Sequence, residues 1–334
     1  MEPAENLESD VDAGQSVAQY ALGVKLLSGP DSSAHFERAV ALIESSSAAG
    51  YAAATETCAI FEAMGVARAQ SWDRAFDRLQ AAAEQASRNA QIQLLLLAWN
   101  DQEPMIPKAP AVDHWAKVRA AISIERLLRH PDRESLCNSP RIRVIAGFAT
   151  MPECNWLIAR ARRRLKPATV FRADGSQTVD PGRSNSGSEF LVLDMDVVLE
   201  IVRARIAAAA RVPVPVFEPT QVLHYAVGQE FKPHHDFLDP ASPTHHDQLR
   251  LSGQRIATFL IYLNEEFEGG ETDFPAAGIR YRGRAGDAVF WANLDTDGRP
   301  DPLTLHAGLP PTSGEKWILS QWIRDRVAMN VPHE

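Results

Sequence analysis

The sequence predicts a multidomain protein in which an α-helical repeat region precedes an α+β region whose strands close as a sandwich or jelly roll. The chain of 334 residues is longer than a single hydrophobic core usually organises, so two domains are expected. Its N-terminal part carries small and apolar residues at three- and four-residue spacing, which is typical of helices. After residue 141 the pattern changes to short alternating runs separated by Gly, Pro and Asp, which is typical of strands.

Charge and cysteine content exclude several classes of protein. The 34 Lys and Arg residues are outnumbered by 43 Asp and Glu residues, and the net charge of -9 disfavours nucleic acid and anionic membranes as partners. The three cysteines form no CxxC pair, so neither a disulfide framework nor a structural zinc site is predicted. Residues 1–14 are acidic and lack the apolar stretch of a signal peptide, so we expect a disordered N-terminus and a cytoplasmic protein.

Residues 15–98 repeat themselves at a spacing of 36 residues. A shift by this spacing superposes Phe36–Ala39 on Trp72–Ala75, and each unit has the pattern of a helical hairpin with a break near Gly29 or Gly65. The pattern resembles Sel1-like and tetratricopeptide repeats, which would offer a concave surface to a protein partner. An alanine-rich helical bundle that only covers the neighbouring domain is the alternative.

The C-terminal two thirds of the chain divide into a connector, a second domain and a tail. Residues 99–140 are punctuated by prolines and contain one amphipathic stretch, Val112–Leu128, so we predict a linker with one helix. The second domain covers residues 141–326, with helices predicted over Glu153–Leu165 and Asp194–Ala210 and at least seven short strands. Residues 327–334 are predicted to be a tail.

A His-x-Asp pair is the first indication of a metal site. In an extended segment His234 and Asp236 point to the same side, whereas His235 points to the other. His306 follows a strand-like run and could complete the set from a neighbouring strand. Two imidazoles and one carboxylate form the ligand set of a non-haem Fe(II) centre with three open positions.

A second triplet, His245-His246-Asp247, has the same residue types. Its flanks contain many turn-forming residues and no alternation, so we predict that it lies on a polar loop, where the directions of ligands are not fixed. We therefore prefer His234 and Asp236 as the metal-binding pair.

Lys316 is a single cation at the start of an apolar run. Strand alternation places Lys316, Ile318, Ser320 and Trp322 on one face. A buried lysine is costly without an anionic partner, so Lys316 either pairs with the carboxylate of a ligand or lies at a sheet edge and extends to water.

Many short motifs between Gln221 and Arg324 occur in the same order as in the prolyl 4-hydroxylase catalytic domain. They are Tyr225–Gln229, Pro233–Asp236, Arg255–Thr258, Gly269–Pro275, Gly286–Leu294, His306–Gly308 and Lys316–Trp317, with Met151–Cys154 and Arg183–Ser186 upstream. Residues 141–326 thus closely resemble this family of Fe(II)- and 2-oxoglutarate-dependent dioxygenases. The resemblance implies a double-stranded β-helix (jelly-roll) fold with flanking helices, and it does not extend to the repeats.

The resemblance also implies roles for individual residues. The implied iron ligands are His234, Asp236 and His306, the partner of the distal 2-oxoglutarate carboxylate is Lys316, and the residues that line the cosubstrate pocket are Tyr225, Thr272 and Trp322. The three iron ligands and Lys316 would be the residues required for catalysis. The implied cofactors are Fe(II), 2-oxoglutarate as cosubstrate, O2, and L-ascorbate, which keeps the iron ferrous.

The implied reaction is 4-hydroxylation of proline in a peptide or protein substrate, with release of succinate and CO2, and the repeats would recruit or orient that substrate. Two alternatives stay open: the same cofactor chemistry on another residue or a small molecule, and a non-catalytic module that senses metal or 2-oxoglutarate. The complete ligand set together with Lys316 disfavours the sensor.

Three features depart from the family or stay ambiguous. His235 replaces a residue that is often aromatic in relatives, and it is expected to face away from the iron. Ala292 is expected to widen the pocket, which questions a peptide substrate. Residues 173–187 lie where relatives have a mobile segment that closes over the substrate, and an ordinary surface loop is the alternative.

Overall fold

The computed structural model describes residues 15–29, 31–99, 111–167, 169–171, 177–179 and 182–328. The chain separates into two compact units, one comprising Met1–Arg129 with Val192–Arg203 and the other His130–Leu191 with Ala204–Glu334. The predicted disordered segment 1–14 and residues 329–334 of the predicted tail lie outside the described residues.

The first unit is helical. Its helices are Ser16–Ser28, Ser32–Ala48, Ala52–Met64, Trp72–Glu84, Arg88–Ala98, His114–Ala120 and Ile124–Leu128. The helix starts Ser16 and Ala52 differ by 36 positions, as do the helix ends Ala48 and Glu84. The structure therefore contains helix pairs at the spacing that the sequence repeats. None of the described helices combines the length and the apolar character that a membrane span needs.

Small residues let these helices approach closely. Ala39 and Ala75, which the 36-residue shift superposes, are both fully buried, as are Ile43 and Leu79. Gly23 lies in the contact between the first two helices, where an added Cβ would be 2.7 Å from Ile43 Cγ1. Real Cβ atoms do not reach this distance, so the contact requires glycine.

The linker differs from the prediction in two ways. Val112–Leu128 does not form one helix: the helix His114–Ala120 ends, and a second helix begins after Ser123, whose side chain accepts a hydrogen bond from the backbone N–H of Arg126. In addition, a strand, Glu134–Asn138, lies inside the predicted linker and pairs with Arg141–Ile145. Its residues are exposed or half-buried, so no apolar alternation marks it in the sequence.

The second unit contains the sheets. Its strands are β1 (Glu134–Asn138), β2 (Arg141–Ile145), β3 (Lys166–Pro167), β4 (Thr169–Phe171), β5 (Gln177–Val179), β6 (Ser186–Phe190), β7 (Thr220–Tyr225), β8 (Phe231–His234), β9 (Arg255–Tyr262), β10 (Phe267–Gly269), β11 (Thr272–Phe274), β12 (Ile279–Tyr281), β13 (Ala288–Ala292), β14 (His306–Gly308), β15 (Pro311–Gly314) and β16 (Lys316–Arg324). The predicted helices occur at Met151–Arg162 and Val197–Ala210, the latter divided in sequence between the units. The predicted start of the second domain, residue 141, therefore differs from the start of this unit, which is His130.

Two sheets of this unit share one core. The larger sheet has the order β1-β2-β13-β9-β16-β7-β6-β3, and the smaller has the order β12-β11-β14-β8. Trp291 and Tyr262 of the larger sheet and Phe274 of the smaller sheet belong to the same buried cluster. Pairs β10-β15 and β4-β5 complete the described strands. This arrangement places β8 and β14 side by side in the smaller sheet.

A buried ion pair anchors the helix Met151–Arg162. Thr150 and Glu153 form a capping box at its start, and the Arg205 guanidinium donates to both oxygens of Glu153 at 3.0 and 2.8 Å. Burial alone would raise the pKa of Glu153, but the charge and hydrogen bonds of Arg205 hold that pKa below its ordinary value. Arg205 also donates to the backbone carbonyl of Phe148 at 3.0 Å. The pair therefore joins the start of this helix to the helix Val197–Ala210, which carries Arg205.

We predict that Arg205→Met lowers the free energy of unfolding by about 3 to 5 kcal/mol, because it leaves the Glu153 carboxylate buried and unpaired. Urea denaturation of the full chain measures this change. The double variant Arg205→Met/Glu153→Leu, which removes both charges, should recover most of the loss. A single variant as stable as the wild type would contradict this role.

Candidate active site

The pairing of β8 with β14 brings two histidines together. The strands are antiparallel, His306 lies directly opposite His234, and the ring centroids are 4.2 Å apart. Asp236 follows the end of β8, and its carboxylate lies 3.7 Å from His234 Nε2 and 3.4 Å from His306 Nε2. One ligand atom from each of the three residues lies within 4.8 Å of the others. The geometry therefore places all three predicted ligands around one point.

Hydrogen bonds to the backbone orient both imidazoles. His234 Nδ1 lies 2.8 Å from the carbonyl oxygen of Lys232, and His306 Nδ1 lies 2.9 Å from that of Thr304. A carbonyl only accepts, so each Nδ1 carries the proton and donates it. Each Nε2 lies on the side of Asp236, and a histidine whose Nδ1 bonds to the backbone in this way is arranged to bind a metal through Nε2.

Protonation states agree with a metal site. Burial and the neighbouring His306 lower the pKa of His234 to about 3, so its imidazole is neutral. Burial alone would raise the pKa of Asp236, but His306 and His234 hold that pKa far below its ordinary range, so the carboxylate is ionised. Two imidazoles and one carboxylate fit Fe(II), and a set of three leaves coordination positions for other ligands.

The second triplet does not form such a group. His245 ends a short helical turn, Pro243–His245, and the helix His246–Ser252 follows, so the predicted loop is wrong in its secondary structure. His245 Nδ1 accepts a hydrogen bond from the backbone of Asp239, and Asp247 pairs with Arg250. In the part of the chain that the structure describes, His234, Asp236 and His306 are the one group of three possible ligands.

A cavity opens beside the three ligands. Its lining includes all the residues that the resemblance assigned to the cosubstrate pocket: Tyr225, Thr272, Lys316 and Trp322. Ile318 and Ser320 also line it, so one face of β16 points into the cavity as strand alternation predicts.

Lys316 presents an uncompensated charge to this cavity. The strand β16 lies between β9 and β7, so the alternative of a lysine at a sheet edge is wrong. Its Nζ is buried without a hydrogen-bond partner among the described residues and lies 5.3 and 5.2 Å from the ring centroids of Tyr225 and Tyr262. Burial lowers the pKa of Lys316 to about 7, against the opposing charge of Glu271. A buried ammonium in this state is suited to an anionic ligand.

Several residues of the site were not identified from the sequence. Tyr262 donates to the carbonyl of Tyr281 at 2.9 Å and lies 2.8 Å from the Thr272 hydroxyl, which it orients. The Phe231 ring stacks on His234 at a centroid distance of 3.5 Å, and the Arg183 guanidinium lies 4.6 Å from that ring. Apart from the pair Phe231 and His234 within β8, these contacts join residues that are distant in the sequence, so no local pattern indicates them.

Two of the expected departures are settled by position. His235 is exposed and its Nε2 lies 3.1 Å from the carbonyl of Pro302, away from the ligand atoms. Ala292 pairs with Ala257 and does not line the cavity, whereas its neighbour Trp291 does. The expectation that Ala292 widens the pocket is wrong, because successive side chains of a strand point to opposite faces.

The segment 173–187, for which a mobile lid and an ordinary surface loop are the two alternatives, contains parts of two strands. Residues 177–179 form β5, which pairs with β4, and Ser186 begins β6. Residues 173–176 and 180–181 of this segment lie outside the described residues.

We predict that Ala substitutions of His234, Asp236 or His306 abolish binding of a divalent metal, because each removes one of three ligands. Anaerobic titration calorimetry with Fe(II) measures the loss. His245→Ala and Asp247→Ala are the matched controls and should retain wild-type affinity. Loss of metal in these controls, with binding kept in His234→Ala, would reverse the assignment.

Comparison with known proteins agrees with this site. Residues 220–324 match the 2OG-Fe(II) oxygenase superfamily. Prolyl 4-hydroxylase 1 of Arabidopsis thaliana is 36% identical over 203 residues, which cover 56% of this chain and 70% of that protein. Prolyl 4-hydroxylase 5 of the same plant is 34% identical over 203 residues, covering 55% of this chain and 68% of that protein.

A solved structure is also similar. The 2-oxoglutarate complex of the viral collagen prolyl hydroxylase from Paramecium Bursaria Chlorella virus-1 has 31% sequence identity and a TM-score of 0.42, covering 57% of this chain and 98% of that one. The match to the plant enzymes covers more than two thirds of their length. The chain belongs to the prolyl 4-hydroxylase family of Fe(II)- and 2-oxoglutarate-dependent dioxygenases.

Proposed function

We propose that the protein hydroxylates prolyl residues of a peptide or protein substrate at C4, with His234, Asp236 and His306 as the iron ligands. The observation that carries this proposal is the buried Lys316 ammonium, which lies without a hydrogen-bond partner among the described residues and lines the same cavity as the three ligands. A metal site alone fits many functions. A metal site that shares its cavity with an unpaired cation fits a cosubstrate that carries a metal-chelating end and a second carboxylate.

Different residues would bind the two ends of the cosubstrate. Lys316 would pair with the distal carboxylate of 2-oxoglutarate, and the hydroxyl of Tyr225 would donate a further hydrogen bond to it, with Thr272 lining the pocket beside them. The Tyr262 hydroxyl, 2.8 Å from that of Thr272, keeps the threonine side chain in one orientation. A lysine at a fixed position selects a dicarboxylate by length as well as by charge.

Bound Fe(II) supplies the activation of O2, with 2-oxoglutarate oxidised and decarboxylated to succinate and CO2 and one oxygen atom inserted into a C–H bond of the substrate. The protein orients the reactants and excludes water. Trp291, Leu260 and Ile318 give the cavity apolar walls, and all three are buried. Such walls protect a reactive centre from side reactions. L-Ascorbate would return oxidised iron to the ferrous state.

We also propose that the second unit is a double-stranded β-helix and that the helix pairs of the first unit are Sel1-like repeats that recruit the protein substrate. The 36-residue spacing of the pairs and their buried alanines support the repeat assignment. Hydrogen exchange of the full chain tests recruitment: a protein substrate should protect amides in the helices Ala52–Met64 and Trp72–Glu84. Unchanged exchange in both helices would contradict it.

We predict that Lys316→Met weakens the affinity for 2-oxoglutarate by about 10- to 100-fold, because a charge-assisted hydrogen bond to a buried carboxylate contributes roughly 1.5 to 3 kcal/mol. Titration of the metal-loaded protein with 2-oxoglutarate measures this affinity, and metal binding should stay unchanged. The exposed Lys166 provides the control variant Lys166→Met. An unchanged affinity in Lys316→Met would show that another cation holds the carboxylate.

The low pKa of Lys316 predicts a pH dependence. Without cosubstrate its pKa is about 7, so the side chain is charged below this pH and loses its proton above it. The dicarboxylate binds the charged form, so its dissociation constant should be constant below pH 7 and increase about tenfold per pH unit above it. Mn(II) can replace Fe(II) so that the centre does not oxidise. In Lys316→Met the dissociation constant should be weak and should not change with pH in this range. A wild-type profile that stays flat to pH 9 would exclude Lys316 as the titrating partner.

The reaction itself is tested with proline-containing peptides in the presence of Fe(II), 2-oxoglutarate and ascorbate. We predict that succinate and 4-hydroxyproline form in equal amounts, as measured by mass spectrometry and amino-acid analysis, and that His234→Ala forms neither. If the hydroxyl group forms on another residue, or if only small molecules are turned over, the proposed substrate is wrong and the proposed cofactor chemistry stands. Binding of 2-oxoglutarate without any turnover would favour the sensor.

A further inference from the structure

Two buried polar residues lie behind Asp236 and form a chain of hydrogen bonds to it. The Thr258 hydroxyl lies 2.6 Å from Asp236 Oδ2, and Asn293 Nδ2 lies 3.1 Å from Thr258 Oγ1. The exposed fractions of Asp236, Thr258 and Asn293 are 3%, 1% and 0%. Polar groups buried to this degree are costly unless they are hydrogen-bonded, so the chain of contacts needs a physical reason.

The chemistry of the three groups fixes the direction of both hydrogen bonds. The Thr258 hydroxyl donates its proton to Asp236 Oδ2, 2.6 Å away. The hydroxyl has one proton, so it must accept from Asn293, which settles that the nitrogen of the Asn293 amide faces Thr258. The Asn293 amide therefore fixes the rotation of the Thr258 hydroxyl, and the hydroxyl fixes Asp236 Oδ2.

The three residues come from three different elements, which makes the arrangement rigid. Asp236 follows β8, Thr258 lies within β9, and Asn293 follows the end of β13. The backbone N–H of Asn293 donates to Ile256 at 2.9 Å, and its carbonyl accepts from the N–H of Asp301 at 3.0 Å. Thr258 lies opposite Trp291 on one neighbouring strand and Trp322 on the other. Thr258 is thus held within the sheet, and two backbone hydrogen bonds hold Asn293 beside it.

We propose that Thr258, oriented by Asn293, is a positioning residue that holds Asp236 for metal binding through a single oxygen. The inference deepens the proposed function and rests on it, because it concerns the same metal site. With Oδ2 engaged by the hydroxyl, Oδ1 is the oxygen that has no donor from this chain of contacts and is free for an ion. A carboxylate that uses one oxygen leaves positions open for the cosubstrate and O2, whereas one that uses both would occupy one of them.

A fixed carboxylate also strengthens metal binding. Without the hydroxyl, Asp236 would have to be ordered when the ion binds, and the loss of side-chain entropy would reduce the affinity. The removal of groups that orient a metal ligand typically weakens metal binding by about 10- to 100-fold. A threonine that only packs in the core would affect folding stability but not metal affinity in the folded protein.

The test compares Thr258→Val, which removes the hydroxyl and keeps the shape, with Thr258→Ser, which keeps the hydroxyl. Metal affinity is measured by anaerobic Fe(II) titration of the full chain, at a temperature at which circular dichroism shows each variant to be folded. We expect Thr258→Val to weaken Fe(II) binding by about 10- to 100-fold and Thr258→Ser to restore it to within about threefold of the wild type. The control is Thr220→Val, because Thr220 is equally buried but its hydroxyl bonds to Gln321.

A double-mutant cycle tests the role of Asn293. Asn293→Leu should weaken Fe(II) binding in the wild-type background but have no further effect in Thr258→Val, because Asn293 acts through the Thr258 hydroxyl. An additive effect would overturn the relay. Unchanged affinity in Thr258→Val would overturn the proposal while the metal site stands. Absence of Fe(II) binding in the wild type would refute the proposed function instead, and the positioning role with it.

Discussion

The antiparallel pairing of β8 with β14 is the constraint on which the active site depends. These strands have only four and three residues, yet their register places His306 opposite His234. A slip by one residue would turn an imidazole to the other face of the sheet. Strands this short cannot hold a register alone, and the neighbouring strand fixes it, because β11 pairs with β14 through Thr272 and Gly308. The same contact positions Thr272 beside the cavity.

The cavity contains buried charged side chains that other side chains of the protein do not fully neutralise. Asp236 is a carboxylate with two imidazoles around it, and Lys316 is an ammonium with aromatic rings around it. Both are buried. The burial of Lys316 costs free energy of folding, because its Nζ has no hydrogen-bond partner among the described residues, and a dicarboxylate would offset this cost when it binds. The site therefore gains affinity from a destabilisation of the ligand-free protein, a relation that is common where binding residues conflict with stability.

The two units illustrate different ways of placing polar groups in a protein. In the helical unit, Ser47, Thr55 and Gln85 form a chain of side-chain hydrogen bonds that connects neighbouring helices. In the sheet unit, Asn293, Thr258 and Asp236 form a comparable chain that ends on a candidate metal ligand. In the second chain, the carboxylate of Asp236 fixes which group donates in each hydrogen bond. The same type of network thus serves packing in one unit and the orientation of a reactive group in the other.

The sequence by itself determined the helical and strand-rich regions and the 36-residue spacing, because periodicity is a local property. The order of its motifs also indicated His234, Asp236, His306 and Lys316 as candidate site residues. Only the tertiary structure decided what depends on partners distant in the chain. Strand β1 lacks apolar alternation because it is an edge strand, and Ala292 faces away from the cavity because its strand alternates around Trp291. Thr258 reaches Asp236 from another strand, and Asn293, which follows β13, reaches Thr258, so these contacts follow from sheet pairing, which a linear pattern does not contain.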